Sequence, residues 1–168
     1  MDSTDDLKRD WARQFPDLDH SSLLPLTRLA RLGVLIEAFQ RDVLESFELT
    51  PNDYGVLAAL RGAGRPYSLN PSQLYGRLRR SSGGMTKMLK RLEASGFIER
   101  GPDPEDGRGM RVSLTARGHA VYERVFHAFV AASHRVLAPL SESRKEEIER
   151  ALMQMLEVLE GHGDEAPS

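Results

Sequence analysis

The residues best suited to bind a polyanion lie between positions 61 and 100. This segment holds nine arginines and lysines against two glutamates, a local balance of +7, although the whole chain of 168 residues carries a formal net charge of −2. Cationic side chains gathered in one segment suit the phosphates of a nucleic acid, and an acidic remainder keeps the other surfaces from binding them. Ordinary solvent-facing helices decorated with charge are the alternative interpretation.

Residues 81–95 predict a helix that presents these charges on one side. Apolar residues repeat at positions i, i+3, i+4 and i+7, which places them on one buried face: Met85, Met88, Leu89 and Leu92. The other face is small and basic, as major-groove insertion requires. Its residues are the predicted DNA contacts: Ser81, Ser82, Gly83, Thr86, Lys87, Lys90 and Arg91.

Within this set, base contact is expected of Lys87 and phosphate contact of Arg91. A short polar turn joins this helix to another helix before it, which together form a helix-turn-helix pattern. An ordinary amphipathic helix with solvated lysines remains the alternative.

A small hairpin is predicted directly after the basic helix. Its strands are Phe97–Arg100 and Met110–Leu114, and the segment between them is rich in proline, glycine and acidic residues. We expect Arg108 at the tip to enter a minor groove, while Asp106 could accept its guanidinium or brace the turn. This hairpin, residues 97–114, is called the wing below. A charged surface loop without a role is the alternative.

Helices are needed to position these two parts. The spacing of apolar residues and the caps predict seven of them, the third and fourth opening on Thr50-Pro51 and Asn70-Pro71. The first, second and fifth predicted helices cover residues 5–15, 22–47 and 81–95. The third, fourth, sixth and seventh start at residues 51, 71, 115 and 141 or 143.

The sequence contains few features that would support another class of function. The chain has no cysteine, which excludes disulfides, thiol redox sensing and Cys-ligated metals. His127 and His134 lie two helical turns apart, about 10.5 Å, too far to chelate one metal. No catalytic, phosphate-loop or nucleotide-binding pattern occurs. We therefore expect no enzyme, cofactor or metal, and the missing signal peptide and membrane span predict a cytoplasmic protein.

The order of motifs resembles the MarR family of winged helix-turn-helix transcriptional regulators, over about 24–159. The matching segments are Leu49-Thr50, Val56-Leu57, Pro71 to Leu74, Met85-Thr86, Arg91 to Glu93, Gly96 to Arg100, Asp103 to Arg108, Leu114-Thr115 and Gly118. The resemblance implies a homodimer, a pseudo-palindromic DNA operator and release by a small phenolic or aromatic acid. Many members carry two arginines in the wing, whereas here the first position is Gly107, so the wing contact would rely on Arg108 and Arg111.

The N-terminal segment resembles the urate-responsive branch of that family. That branch's ligand residues would fall on Trp11, Gly55, Met88 and Arg100, and only Trp11 and Arg100 agree in type. Urate is therefore not expected. An aromatic carboxylate would suit Trp11 with Met88 and a cation, and the predicted ligand residues are Trp11, Arg28, Arg31, Met88 and Arg100. The alternative is that Trp11 only anchors the first helix on the core.

The combined expectation is a mainly α fold with a small β-wing. Residues 1–48 would form N-terminal helices for dimerisation and ligand binding, 49–115 the DNA-binding lobe, 116–160 the C-terminal dimerisation helices and 161–168 a disordered tail. The predicted partners are double-stranded DNA, a second copy of the chain and a small aromatic acid. The rival hypothesis is a dimeric helical ligand-binding or protein-interaction module without specific DNA binding. Gly107 in the wing is the feature that leaves this alternative open.

Overall fold

The computed structural model describes residues 3–78, 82–103 and 109–164. The helices found there are α1 (Ser3–Gln14), α2 (Leu23–Glu45), α3 (Pro51–Gly62), α4 (Pro71–Leu78), α5 (Ser82–Ala94), α6 (Ala116–Leu137) and α7 (Glu142–Asp164). The strands are β1 (Ser68–Leu69), β2 (Ile98–Pro102) and β3 (Met110–Leu114). The chain forms two compact units, Met1–Val125 and Phe126–Ser168, so the division falls within α6.

Side-chain caps open α3 and α4 as the sequence predicts. At α3, the hydroxyl of Thr50 accepts from the backbone N–H of Asp53, and the Asp53 carboxylate accepts from the backbone N–H of Thr50. At α4, Asn70 and Gln73 exchange the same pair of bonds, at 2.8 and 3.1 Å. These reciprocal bonds satisfy N–H groups that a helix start otherwise leaves unpaired. Both predicted starts are confirmed.

The junction between α5, β2 and α6 is held by backbone contacts. Gly96 ends α5 with a φ of +70°, a conformation that glycine adopts without strain. The hydroxyl of Thr115 donates to the carbonyl of Gly96 at 2.7 Å and accepts from the N–H of Gly118, so it caps α6. A Cβ on Gly118 would overlap the carbonyl oxygen of Phe97. Glycine is therefore required there for α6 to start against β2.

The sheet contains one strand more than the predicted hairpin. Its order is β1-β3-β2 with both pairs antiparallel, and Leu69 and Arg100 both pair with Val112 from opposite sides. The second predicted strand, Met110–Leu114, is confirmed, whereas the first runs over Ile98–Pro102 instead of 97–100. The prediction missed β1 because two residues are too few to show the alternation of a strand.

The core of the first unit is built from α3, α4, α5, the sheet, the end of α2 and the first half of α6. The four apolar residues predicted for the buried face of α5 are all at most 8% exposed. They pack in a core with side chains from the neighbouring elements, among them Leu44, Val56, Leu57, Leu60, Leu74, Ile98, Val112 and Val125. The prediction of a one-sided α5 is therefore confirmed.

Helices α2 and α7 expose many more large apolar side chains than α3 and α5 do. Many large apolar side chains on α2 and α7 are exposed by 40% or more, including Leu26, Leu32, Leu35, Leu152, Leu156 and Leu159. Helix α7 extends to Asp164, so 161–164 continue the helix into the segment predicted to be disordered; 165–168 are outside the described residues. No helix in the described ranges is long and apolar enough to span a membrane.

Candidate nucleic-acid interface

The outer face of α5 presents unpaired positive charge. Lys87 and Lys90 are exposed, and Thr86 lies exposed beside them. Neither lysine has an ion-pair partner among the residues that the structure describes. Since the opposite face of α5 is buried, these side chains are free for contacts outside the chain. Ser81 lies outside the described residues, and Ser82 and Gly83 belong to the first turn of α5 without described side chains.

Arg91 has a structural partner within the lobe. Its Nη2 lies 2.5 Å from Oδ1 of Asp53, whose side chain is 2% exposed while that of Arg91 is 50% exposed. The same Asp53 carboxylate belongs to the cap of α3. Arg91 therefore ties α5 to the start of α3, and its exposed half faces solvent. The sequence predicted a helix start at Thr50-Pro51 but gave no sign of the pairing between Asp53 and Arg91.

A second arginine holds α4. The Nη1 of Arg77 donates to the carbonyl of Ala59 in α3 at 3.4 Å, and Leu74 of α4 is fully buried. The first helix of the helix-turn-helix is thereby fixed to α3 by packing and by this bond, and α5 is fixed to α3 by Arg91. Helix α3 is thus the common support of both helices.

The root of the wing is braced by an ion pair that the sequence did not predict. The Nε of Arg111 lies 3.1 Å from Oδ1 of Asp103, and the Arg111 side chain is only 21% exposed. Its Nη1 also donates to the hydroxyl of Ser68 at 3.2 Å. Arg111 therefore links the two wing strands to β1, and its expected part in the wing contact stays a prediction. Asp106, Gly107 and Arg108 lie outside the described residues.

The predicted ligand residues of the first two helices have different partners: Arg28 contacts the start of α1, whereas Trp11 contacts His20 beyond its end. Arg28 donates to Asp5 at 2.9 Å and to the hydroxyl of Thr4 at 3.3 Å, so its charge joins α2 to α1. Trp11 is partly buried, and its ring stacks on that of His20 with centroids 6.4 Å apart. Arg31 is exposed. This arrangement supports the anchoring of α1 on α2 by Arg28.

The remaining two predicted ligand residues belong to the lobe. Met88 is 8% exposed and is part of the α5 core face. Arg100 pairs with Glu93 of α5, with a distance of 2.9 Å from Nε to Oε2. This hydrogen bond lowers the pKa of Glu93 and raises that of Arg100. Among the described residues, no hydrogen bond, ion pair or ring contact joins Trp11 to Met88 or Arg100.

No group of three or more His, Cys, Asp or Glu side chains suited to a metal is found in the described part of the chain. A cavity of about 360 Å³ lies beside the sheet, lined by Arg100, Glu99 and Arg111 among others. Its two arginines are already paired with carboxylates of the chain.

Comparison with known proteins bears on this arrangement. Residues 47–109, which include α3, α4, α5 and the start of the wing, match the model of the MarR family. The regulator PecS of Dickeya dadantii is 33% identical over 152 residues, which cover 90% of this chain and 91% of that protein. The chain belongs to the MarR family. The multiple antibiotic resistance protein MarR of Escherichia coli is 31% identical over 105 residues, covering 62% of this chain and 71% of MarR.

Solved structures of the MarR family share the fold. A mutant MarR from Escherichia coli, complexed with operator DNA, has a TM-score of 0.68 and 27% identity and covers 82% of this chain and 97% of that one. AbsC of Streptomyces coelicolor has a TM-score of 0.69 and 25% identity, with coverage of 86% and 97%. The prediction of a mainly α winged helix-turn-helix fold is confirmed. These relatives are transcriptional regulators, which also confirms the prediction that the chain is not an enzyme.

Proposed function

We propose that this MarR-family protein is a DNA-binding transcriptional repressor that acts as a homodimer and is released from its operator by a small aromatic acid. One observation carries the DNA-binding part. Lys87 and Lys90 lie exposed on α5, whose other face is buried, so their charge is not used in folding. A mutant MarR that shares the fold forms a complex with operator DNA, which supports DNA binding by this chain.

Within the interface, we propose different contacts for different residues. Lys87, nearer the start of α5, contacts base edges, with Thr86, Ser81, Ser82 and Gly83 around it. Lys90 and the exposed half of Arg91 contact phosphates, Arg91 while retaining its pair with Asp53. Arg108 enters a minor groove.

Operator binding tests this proposal. We would measure the affinity for the DNA upstream of the protein's own gene and for random DNA, at several salt concentrations. Lys90→Ala should weaken binding to both and lower the salt slope by about 0.9 for each phosphate that the variant leaves unneutralised. Lys87→Ala should cost about 1–3 kcal/mol, mainly at one operator position. Lys8→Ala, which removes an exposed charge from α1, is the matched control. Equal binding of both DNAs by the wild type would favour the rival, a ligand-binding module without specific DNA recognition.

The homodimer is supported by the exposed apolar side chains of α2 and α7. Apolar surfaces of this extent are rare on soluble monomers and are buried when a second copy binds. Light scattering at micromolar concentration should give about twice the chain mass of 18.8 kDa. A monomer mass would contradict the proposal.

The aromatic acid is proposed to bind beside Trp11, with Arg31 as the available cation and Arg28, Met88 and Arg100 as further predicted contacts. The partly buried indole and the exposed Arg31 support this choice. A ligand that binds only the native state raises the melting temperature. Trp11→Ala should reduce that rise for phenolic and indolic acids while leaving operator affinity without ligand unchanged. An undiminished rise would favour the interpretation of Trp11 as an anchor of α1.

A further inference from the structure

Gly84 is a glycine that packing within the described residues does not require. It is the third residue of α5 and is exposed. A Cβ built on it would meet no atom within 4 Å in the described part of the chain. By contrast, Gly96 has a positive φ, and a Cβ on Gly118 would overlap a backbone carbonyl. Gly84 has neither feature, so a side chain at this position would fit the lobe without strain.

Glycine at this position weakens the helix that contains it. A glycine in a helix is less favourable than an alanine, because glycine has more backbone freedom to lose when the chain folds. Helix α5 would therefore be more stable with a methyl group at position 84. Since that methyl group would meet open space in the described part of the lobe, the stability of the fold does not explain the glycine. A molecule that contacts α5 from outside would explain it.

Two cationic side chains of α5 lie beside Gly84. Arg91 follows it by seven residues, which is about two helical turns, so the two residues lie on nearly the same side of the helix. Lys87 follows Gly84 by three residues and is its neighbour on the helix surface. Lys87 is exposed, and the side chain of Arg91 is 50% exposed. A polyanion held by both cations would therefore pass close to Gly84.

The missing side chain opens the surface of α5 to close contact with a DNA strand. Glycine is the residue that allows another molecule to approach the main chain closely. Arg91, on the same side of α5, is the proposed phosphate contact, and phosphate contacts fix the position of a protein on the duplex. We propose that Gly84 sets how closely α5 approaches the DNA, with the sugar–phosphate backbone beside the phosphate of Arg91 lying against its Cα. This inference rests on the proposed function, because it requires α5 to bind DNA.

A methyl group at position 84 would act as a spacer between α5 and the DNA. It would move the strand outwards and lengthen the hydrogen bonds that Lys87 and Arg91 donate to the DNA, and hydrogen bonds weaken as their geometry departs from the normal range. The charge of the interface would stay the same. Gly84→Ala should therefore raise the stability of the chain and lower its affinity for DNA. Opposite effects on the two quantities distinguish a DNA contact from a defect in folding.

The experiment measures operator affinity and melting curves on the same full-length variants. The probe is the DNA upstream of the protein's own gene, with the bound sequence located by footprinting. Gly84→Ala should weaken binding by about tenfold and Gly84→Leu by more, since a larger side chain moves the strand further. Both introduced residues favour helix, so both variants should melt no lower than the wild type. Gly161→Ala, at an exposed glycine of α7 that also meets open space, is the matched control and should change the affinity by less than about twofold.

Operators with single base-pair changes separate contact with the DNA backbone from contact with a base. Gly84→Ala should lose affinity by the same factor, within about twofold, on all of them, because the sugar–phosphate backbone is the same in every sequence. If the loss disappears at one base pair, Gly84 faces a base edge and the proposal is wrong. Wild-type affinity in both Gly84 variants would overturn it as well, as would a lower melting temperature of Gly84→Ala. If the wild type binds and only Lys87→Ala loses affinity, this inference alone fails, whereas no binding by the wild type refutes the proposed function and this inference with it.

Discussion

Removal of the Asp53 carboxylate is expected to destabilise the DNA-binding lobe by about 2–3 kcal/mol. The side chain is almost fully buried and accepts three hydrogen bonds. They come from the backbone N–H of Thr50 at 2.9 Å, the hydroxyl of Thr50 at 2.7 Å and Nη2 of Arg91 at 2.5 Å. Asp53→Ala removes all three acceptor contacts at once.

The magnitude follows from the exposure of each partner. Loss of the reciprocal cap on α3 costs about 1 kcal/mol, and a part-buried N–H left without its acceptor adds about 1 kcal/mol. Half of the Arg91 side chain is already in solvent, so water can replace much of its missing partner. The ion pair with Arg91 therefore contributes no more than about 1 kcal/mol.

A double-mutant cycle measures the Asp53–Arg91 contribution directly. Urea unfolding of the wild type, Asp53→Ala, Arg91→Ala and the double variant should give a coupling energy of about 0.5–1 kcal/mol. The exposed pair of Glu37 and Arg41 on α2 is the matched control, and its coupling should be about 0.3–0.5 kcal/mol. If the effects of the Asp53 and Arg91 substitutions add within about 0.3 kcal/mol, Arg91 does not brace α5 on α3.

Three further substitutions test other contacts of the lobe, and two of them have a matched control substitution. Gly118→Ala should lower the free energy of unfolding by about 2 kcal/mol or more, because the added methyl group would overlap the carbonyl of Phe97 in the wing. The control Gly84→Ala places its methyl group in open space on α5 and should raise the free energy of unfolding by about 0.5–1 kcal/mol. Melting curves of the two variants test the difference. Met88→Ala should cost about 2–5 kcal/mol in urea unfolding, and Lys90→Ala less than about 0.5 kcal/mol. The pKa of Glu93 is lowered by its bond with Arg100. The wild type should therefore have a higher free energy of unfolding than Glu93→Gln at neutral pH, and this difference should be lost as the pH falls below 4.5, the ordinary pKa of glutamate. A difference that persists in acid would refute the ion-pair explanation.

The helix starts and the faces of α5 follow from the sequence because their causes are local. Thr50 with Asp53 and Asn70 with Gln73 are three residues apart, and the apolar spacing of α5 repeats within one helix. Strand β1 has no such signal. Its two residues pair with β3, which lies far along the chain. A non-local partner therefore decided the one strand that was missed.

In the candidate interface, the exposed lysines could be predicted from local spacing, whereas the long-range bonds of the arginines could not. Exposure of Lys87 and Lys90 follows from periodicity. The pairing of Arg91 with Asp53 joins residues 38 positions apart, and the bond from Arg111 to Ser68 joins residues 43 apart. The sequence shows that these arginines are basic, but only the folded chain shows which carboxylate or hydroxyl each one meets. Arginines predicted as contacts therefore proved in part to be internal braces.

The central position of β3 in the sheet limits how this protein could be re-engineered. One edge of β3 bonds to β2, and the other bonds to Ser68–Leu69, which lead directly into the cap of α4 at Asn70. A wing transplanted from a relative as residues 97–114 would arrive without its third strand and would have to pair with a foreign one. A chimera that exchanges 68–114 as one block should keep more of its inter-strand hydrogen bonds, so the smallest interchangeable cassette includes the helix-turn-helix itself.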